Sequence, residues 1–365
     1  MIDETEADSS ASALVEAAVR LLYLPNEGHG NGRQEEGRAG LAELLDGGEL
    51  ASLEILPFWE HLERAGSAAA FHRELLEAAR RTAATVVLWQ HPTTFPVDRG
   101  TLDAIRALPS RPIVVYDERD PYYGIRKPLP SGGRSLALGA DIISSSGLGR
   151  ELTSFPHSSR RKIIYSPTCV QKSIVLEERV GTAPDAGWIT MIASLDRYAL
   201  PVISMPGTRQ RLRLADSLYE RFGKGFRVYG GGWPSRPYVQ GRLPYDEQVE
   251  RILESSVTVA WDRGEGHWGY FSDRLPIAML TGVPHVTNEK AGFDVLFRNG
   301  IDLWFSHTVA GITELVAYLM SLPVSERRRL GAQQRDHAMA NLTAGPVFRR
   351  LLARAVELRG GPAGE

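Results

Sequence analysis

The chain carries a single cysteine, Cys169, among 365 residues. One thiol cannot close an internal disulfide, so the fold has to rest on its hydrophobic core, and this usage fits a reducing compartment. Charge of one sign is missing too: 42 Lys and Arg stand against 44 Asp and Glu, a net charge of −2 with both signs interspersed. Nucleic-acid binding calls for a basic stripe or a high pI, and neither is there. No apolar run approaches the roughly 18 residues that a membrane helix needs. The opening MIDETEADSSAS is acidic and polar, unlike the basic and then apolar start of a secretory leader. These absences predict a cytoplasmic protein with no nucleic-acid or membrane partner, and a disordered stretch over residues 1–12.

What is present is a regular alternation of apolar runs and helical patterns, at a length that favours two domains. The runs VRLLYLP (19–25), ASLEILPF (51–58), TVVLWQH (85–91), PIVVYDE (112–118), ADIISSS (140–146) and KIIYS (162–166) read as buried parallel strands. Helical patterns fall over 33–45, 69–81 and 98–108. The periodicity weakens over 171–187, taken as a linker, and then resumes with strands at 202–206, 226–231, 257–262 and 283–288. Further helices are expected at 209–222, 245–256, 309–321, 324–341 and 345–360. The fold class predicted is α/β, with two Rossmann-like domains, 13–170 and 188–342, facing a central cleft. The final segment, 343–365, is a helix able to cross back to the first domain.

In such sheets, ligands sit at the carboxyl ends of strands, beside helix N-termini. PNEGHGNGRQ (25–34) places Gly30 in a glycine-rich loop that lets a backbone approach a ligand, although Gly-His-Gly-Asn-Gly is not the dinucleotide GxGxxG pattern. VVYDERDP (114–121) gathers Asp117, Glu118 and Asp120, with His91 ending another strand; Asp117, Asp120 and His91 are the candidate general bases. PGTRQRLRLA offers Arg209, Arg211 and Arg213, of which one or two can converge on a diphosphate, because alternate helix residues face different ways. In GGGWPSRPYVQGRLPYDEQV, Gly232 and the turn at Arg242 and Leu243 can meet a base edge, with Trp233 or Tyr245 as a stacking face. WDRGEGHWGYFSDR leads through Gly269 to a helix start, where Ser272 or Asp273 is placed to cap and Arg274 to meet a phosphate.

Taken in order, VISMPGTR, FRVYGGGWP, GRLPYDEQVERILESSVTV, GYFSDRLPIAMLTGVPHVTN and GFDVLFRNGIDLWF, over residues 202–340, resemble the donor-binding domain of GT-B glycosyltransferases. The likeness is to the group 1 enzymes and their spore-maturation CgeB-type relatives. The resemblance implies a nucleotide-diphosphate sugar, most simply a UDP-sugar such as UDP-glucose, as co-substrate in place of a cofactor, and no metal. It implies diphosphate contacts from Arg209 or Arg211 and Arg274, base contacts from the backbone of Arg242 and Leu243, and Gly30 beside the phosphates. It further implies an acceptor held by the first domain, here a small soluble hydroxyl compound such as a nucleoside or other natural product. An inverting reaction would draw its base from Asp117, Asp120 or His91; a retaining one would use the leaving phosphate.

The same resemblance exposes a loss. Counted back from Gly282, the family's two glutamates fall on Gly269 and Ile277, so the hydroxyl contacts have to come from elsewhere, such as Glu265, Asp273 or Glu289. A nucleotide-sugar epimerase, or a non-catalytic nucleotide-sugar-binding or coat-associated protein, are the alternative readings.

Overall fold

The computed structural model describes residues 4–122, 124, 127–181, 185–195, 207–264 and 266–360. The chain divides into two compact units, one from Ile2–Gln171 with Ala344–Glu365, the other from Lys172–Thr343. The expected strand at 202–206 lies outside the described residues.

In the first unit the strands are β1 (Arg20–Leu24), β2 (Ser52–Ile55), β3 (Val86–Gln90), β4 (Ile113–Glu118), β5 (Ile142–Ser145) and β6 (Ile163–Tyr165). They form one sheet in the order β2-β1-β3-β4-β5-β6, and every pairing is parallel. Val-Val-Leu-Trp-Gln of β3 is buried at every position, as expected of a central strand covered on both faces. One face packs under α3 (Phe58–Ala65), α4 (Ala68–Arg81), α5 (Arg99–Arg106) and α6 (Ser131–Gly139), around Phe58, Phe71, Trp89 and Phe95. The other is covered by α1 (Glu4–Ala17), α2 (Glu35–Asp46) and the last helix of the chain, α13 (Ala344–Gly360), through Leu14, Leu41, Phe348 and Leu352.

Three helices differ from expectation. Residues 4–12 are not disordered but belong to α1, which packs on α13 and buries Leu14; its apolar edge is too narrow to stand out in a polar sequence. α3 starts directly after β2 and was hidden in the tail of that apolar run. α6 falls in a stretch where the sequence analysis assigns no element, and it contains Gly132 and Gly133. Here they are packing residues: a Cβ would lie 2.4 Å from the Phe95 carbonyl at Gly132 and 2.6 Å from the Tyr116 hydroxyl at Gly133. α13 seats itself similarly, since a Cβ on Gly40 of α2 would meet the Ala344 Cβ at 2.5 Å, and Arg349 grips Glu49 through two bonds of 2.6 Å.

The second unit holds β7 (Trp188–Ile192), α7 (Thr208–Phe222), β8 (Phe226–Tyr229), β9 (Val239–Gly241), α8 (Gln248–Leu253), β10 (Ser255–Val259), α9 (Arg274–Leu280), β11 (His285–Asn288), α10 (Phe293–Leu296), β12 (Trp304–Ser306), α11 (Val309–Ser321) and α12 (Val324–Asn341). Its sheet is again parallel, in the order β9-β8-β7-β10-β11-β12. The central strand β7, WITMI, starts directly after the expected linker, where no element was expected before 202. Residues 245–247 form a 3-10 turn before α8, so the helix expected from 245 starts three residues later.

The turn Thr281-Gly282-Val283-Pro284, which sets β11 beside β10, depends on a contact with α12. A Cβ on Gly331 would stand 1.8 Å from the Gly282 carbonyl oxygen. Gly331→Ala should therefore lower stability by about 2–3 kcal/mol, read as a fall in urea midpoint. Gly32→Ala, at a position with no atom near its Cβ, should stay within about 0.5 kcal/mol of the parent.

Candidate functional site

At the carboxyl edge of the second unit's sheet, the chain is tied together by one buried carboxylate. Asp262, three residues past β10, accepts the Ser272 N–H at 2.8 Å and Lys290 Nζ at 3.2 Å on Oδ2. Its own N–H donates to Asn288 Oδ1 at 2.6 Å. Burial alone would raise its pKa, but Lys290 and then Arg211 outweigh that and hold the carboxylate below its ordinary value. The Lys290 side chain is fully buried and also donates to the carbonyls of Arg263 and of Tyr270 (2.8 Å). One ammonium thus pins both ends of the loop between β10 and α9.

Arg211 is part of this interior and not of an open phosphate cradle. Its guanidinium donates to the carbonyls of Trp261 and Ser194, each at 2.7 Å, and lies 4.0 Å from Asp262. It ties the ends of β10 and β7 together, and its reach is spent there. Arg263 reinforces the tie with a 2.9 Å bond to the same Ser194 carbonyl.

The glycines after β8 have a similar structural cause. A Cβ on Gly230 would meet the Ala193 carbonyl at 2.0 Å, and one on Gly232 the Leu195 carbonyl at 2.4 Å. Trp233 is half-buried, its indole N–H donating to the Ala193 carbonyl at 2.6 Å and its ring edge-on to Tyr238. Of the two candidate stacking rings, Tyr245 is the more open, 60% exposed. The Tyr245 hydroxyl reaches Asp273 Oδ2 at 3.2 Å, so the β9 turn and the start of α9 are neighbours. Arg242 is exposed, its guanidinium Nε 3.1 Å from where a Gly231 Cβ would be, and Leu243 follows half-buried. Arg274 opens α9 half-exposed, and Arg209 is exposed on the first turn of α7.

Neither Ser272 nor Asp273 caps α9 through its side chain: Ser272 spends its N–H on Asp262, and Asp273 has helical backbone angles. Gly269 has φ 71°, a left-handed backbone that a glutamate would adopt only under strain, and Ile277 is buried completely in the apolar core. Of the substitutes for the lost glutamates, Asp273 faces Tyr245 and Glu289 is exposed, 3.7 Å from His307. Glu265 lies outside the described residues.

In the first unit, the carboxyl ends of β3 and β4 meet. Asp117 is buried, taking the Ser144 hydroxyl at 2.7 Å and Arg119 Nε at 2.8 Å, and Arg119 runs on to Cys169 Sγ at 2.6 Å. Its carboxylate is fully engaged, so it is not a free base for an acceptor. Burial pushes the Cys169 thiol up to about 11 against the pull of Arg119, which makes it an inert core sulfur. His91 is not free either: its Nδ1 lies 2.6 Å from Glu118 Oε1. Burial would lower the imidazole, but Glu118 first and Asp120 next overcome this and raise it to about 9. An imidazole raised in this way favours its protonated form, which weighs against His91 as the base. Asp120 is the half-exposed carboxylate of the group, paired with Lys127 Nζ at 2.8 Å. Sequence reasoning noted Glu118 only as a member of the acidic cluster and missed Lys127, Asp262 and Lys290; the signal for the last two was position just past a strand end.

Gly30 (φ 82°) forms the exposed tip of the loop after β1, above a buried Glu27 held by the Gln34 N–H at 2.9 Å and Arg38 Nε at 2.7 Å. A separate cavity of about 640 Å³ opens among the starts of α4, α5 and α6, lined by Leu76, Phe95 and Val97. None of its lining residues belongs to the His91 group. Among the described residues, no three His, Cys, Asp or Glu side chains gather as a metal-binding group, and no helix is long and apolar enough to cross a membrane.

Comparison with known proteins agrees with this geometry. Residues 209–353 match the family model described as glycosyl transferase-like. No curated protein matches the chain in sequence. Among solved structures, HepE of Anabaena in complex with UDP and glucose superposes with a TM-score of 0.53 at 10% identity, covering 93% of this chain and 99% of that one. The catalytic domain of Arabidopsis thaliana starch synthase IV, bound to ADP and acarbose, gives 0.57 at 12%, covering 93% and 100%. A glycosyltransferase from Rickettsia africae gives 0.50 at 11%, covering 99% and 97%. At such identities the likeness is one of fold, and the fold is GT-B: two Rossmann-like units, the second glycosyl transferase-like in sequence from residue 209 onward.

The two classes of arginine should separate cleanly in denaturation. Arg211→Ala removes a buried cation from two carbonyls and from Asp262 and should cost about 2–4 kcal/mol. Arg242→Ala and Arg274→Ala should each stay within about 0.5 kcal/mol of the parent.

Proposed function

We propose that this protein is a glycosyltransferase that moves a hexose from a nucleotide-diphosphate sugar, a UDP-sugar first among them, to a hydroxyl of a small soluble acceptor such as a nucleoside or other natural product. The reaction would run in the cytoplasm without a metal. Within the GT-B class, the order of its motifs supports a place near the spore-maturation CgeB-type relatives. The observation that carries the reading is the grouping of exposed cations and one open aromatic face at the carboxyl edge of the second sheet. Tyr245 reaches Asp273 at the start of α9, next to Arg274, and Arg242 stands three residues before Tyr245 in the turn after β9; arginines suit a diphosphate because they present several donors in a planar fork.

In this reading the Tyr245 ring stacks on the base, and the backbone of Arg242 and Leu243 meets the base edge. Arg274 and Arg209 offset charge on the diphosphate, which grows as the bond to the sugar breaks. Asp273 is the remaining side chain suited to a ribose hydroxyl. Gly30 is a further backbone contact beside the phosphates, and on the acceptor side Asp120 is the half-exposed carboxylate beside the strand ends.

The loss of glutamates at Gly269 and Ile277 favours a second reading, nucleotide-sugar binding without turnover. Calorimetric titration with UDP, ADP, GDP and dTDP, followed by assay of diphosphate release from the matching sugar, tells them apart. Binding of one nucleotide with Arg274→Ala and Arg242→Ala each about tenfold weaker, together with release that depends on an acceptor, is the expected result. Binding without release supports the second reading. Release of a rearranged sugar without an acceptor means an epimerase. Equal affinity in the arginine variants contradicts the donor site as drawn.

A further inference from the structure

The acidic group at the end of β4 contains one carboxylate that the proposed reaction does not use. Glu118 is 1% exposed, and everything around it is a donor. Tyr116 donates its hydroxyl at 2.5 Å and Tyr122 at 2.8 Å to Oε2, while the Asp120 N–H reaches Oε1 at 2.9 Å. The Tyr116 phenol is held well above its ordinary value, by burial first and by Glu118 next, so it remains a donor. A carboxylate this deep is tolerated only when its oxygens are filled, and the last place is taken by His91 Nδ1 at 2.6 Å.

His91 is held there at a backbone cost. Its φ is 41°, a left-handed conformation rare outside glycine, and its N–H donates to the Asp117 carbonyl at 2.9 Å. Strain of this kind persists where surrounding contacts over-determine it, and it clusters at functional sites. With Nδ1 turned inward, Nε2 points outward, 3.9 Å from the half-exposed Asp120 Oδ2. Lys127 donates to the same Asp120 oxygen at 2.8 Å and lies over the Tyr122 ring at 5.4 Å. Glu118, Asp120 and Lys127 are the charged groups that act on this imidazole.

We propose that Glu118 is a positioning residue, which fixes His91 as an imidazolium with its Nε2–H presented beside Asp120 as a permanent hydrogen-bond donor to a substrate oxygen, a hydroxyl or a phosphoryl oxygen. His91 then takes up no proton in the reaction, and the exposed carboxylate next to it is left as the group able to accept one. The inference rests on the glycosyltransferase reading only for what the donor serves. The charge and orientation of His91 are properties of the first unit alone.

The test is a pH titration of the His91 ring by NMR, its signal assigned by loss in His91→Gln, on the whole chain without ligand. In the parent the ring should stay protonated through neutral pH and titrate near 9, the value to which Glu118 and Asp120 raise it against the opposing effect of burial. In Glu118→Gln the midpoint should fall by about two pH units or more. A parent ring that titrates at the ordinary histidine value overturns the proposal, whether or not the variant folds, and so does an unchanged midpoint in a folded Glu118→Gln.

Activity supplies the second arm, once a donor is known. Deprotonation of His91 removes the donated charge, so the parent rate should hold through neutral pH and fall as pH rises through about 9. In Glu118→Gln that fall should move to lower pH, with kcat about a hundredfold down. A rate that rises as His91 loses its proton makes His91 a base and overturns the proposal. Absence of any transfer contradicts the glycosyltransferase reading, but leaves the ring titration to decide the role of Glu118.

Discussion

The hydrogen-bonded ion pair between Asp262 and Lys290 is the contact on which the carboxyl edge of the second unit's sheet depends. A carboxylate and an ammonium taken out of water are costly unless each finds several partners, and here each does. Asp262 collects a serine N–H and the ammonium, with Arg211 nearby; Lys290 collects two loop carbonyls besides. The consequence is geometric. Trp261 and Ser194 are drawn together by Arg211, and the loop that follows β10 is closed on Lys290. The half-exposed Arg274 then opens α9 two residues after Ser272, whose N–H is fixed on Asp262, and Tyr245 reaches the same helix start through Asp273. Affinity for a phosphate depends on such preorganisation as much as on the number of cations.

The first unit repeats the device with different residues. Asp117 and Glu118 are adjacent on β4, so they point to opposite faces of the sheet. Asp117 turns to Ser144 and to Arg119, whose guanidinium lies 5.1 Å over Phe348 of α13, and so belongs to the packing of the last helix. Glu118 turns the other way, to two tyrosines and His91. Three acids that look alike in VVYDERDP thus have three fates: one structural, one holding an imidazolium, one half-exposed. Burial and the surrounding donors decide between them; residue type does not.

Much of this architecture can be read in the sequence, because a buried parallel strand leaves a run such as VVLWQ or IVVYDE that few other structures produce. α11 and α12 fall at the bounds their periodicity implies, Val309–Ser321 and Val324–Asn341. Tyr245 and Asp273, read from two separate loops as candidates for one ligand, do meet, at 3.2 Å. What could not be read was direction. Arg211 and Arg209 are two residues apart on one helix, and only the packing shows that the first points into the core. Trp233 looks like a stacking surface until its N–H is found on the Ala193 carbonyl. His91 reads as a base until the buried Glu118 is seen against it. Gly132 and Gly133 carry no such signal either, and only the packing shows that they let α6 approach Phe95 and Tyr116.

The central claim is that a nucleoside diphosphate sits against the β9 turn and the start of α9. Amide hydrogen exchange of the whole chain, with and without saturating UDP, measures this directly. Slower exchange concentrated in residues 230–246 and 262–275, with the first unit's α4 and α5 unchanged, is the predicted result. Protection that avoids those two segments while the nucleotide is bound, or that falls instead on the cavity between α4, α5 and α6, would contradict a donor site built on Asp262 and Lys290.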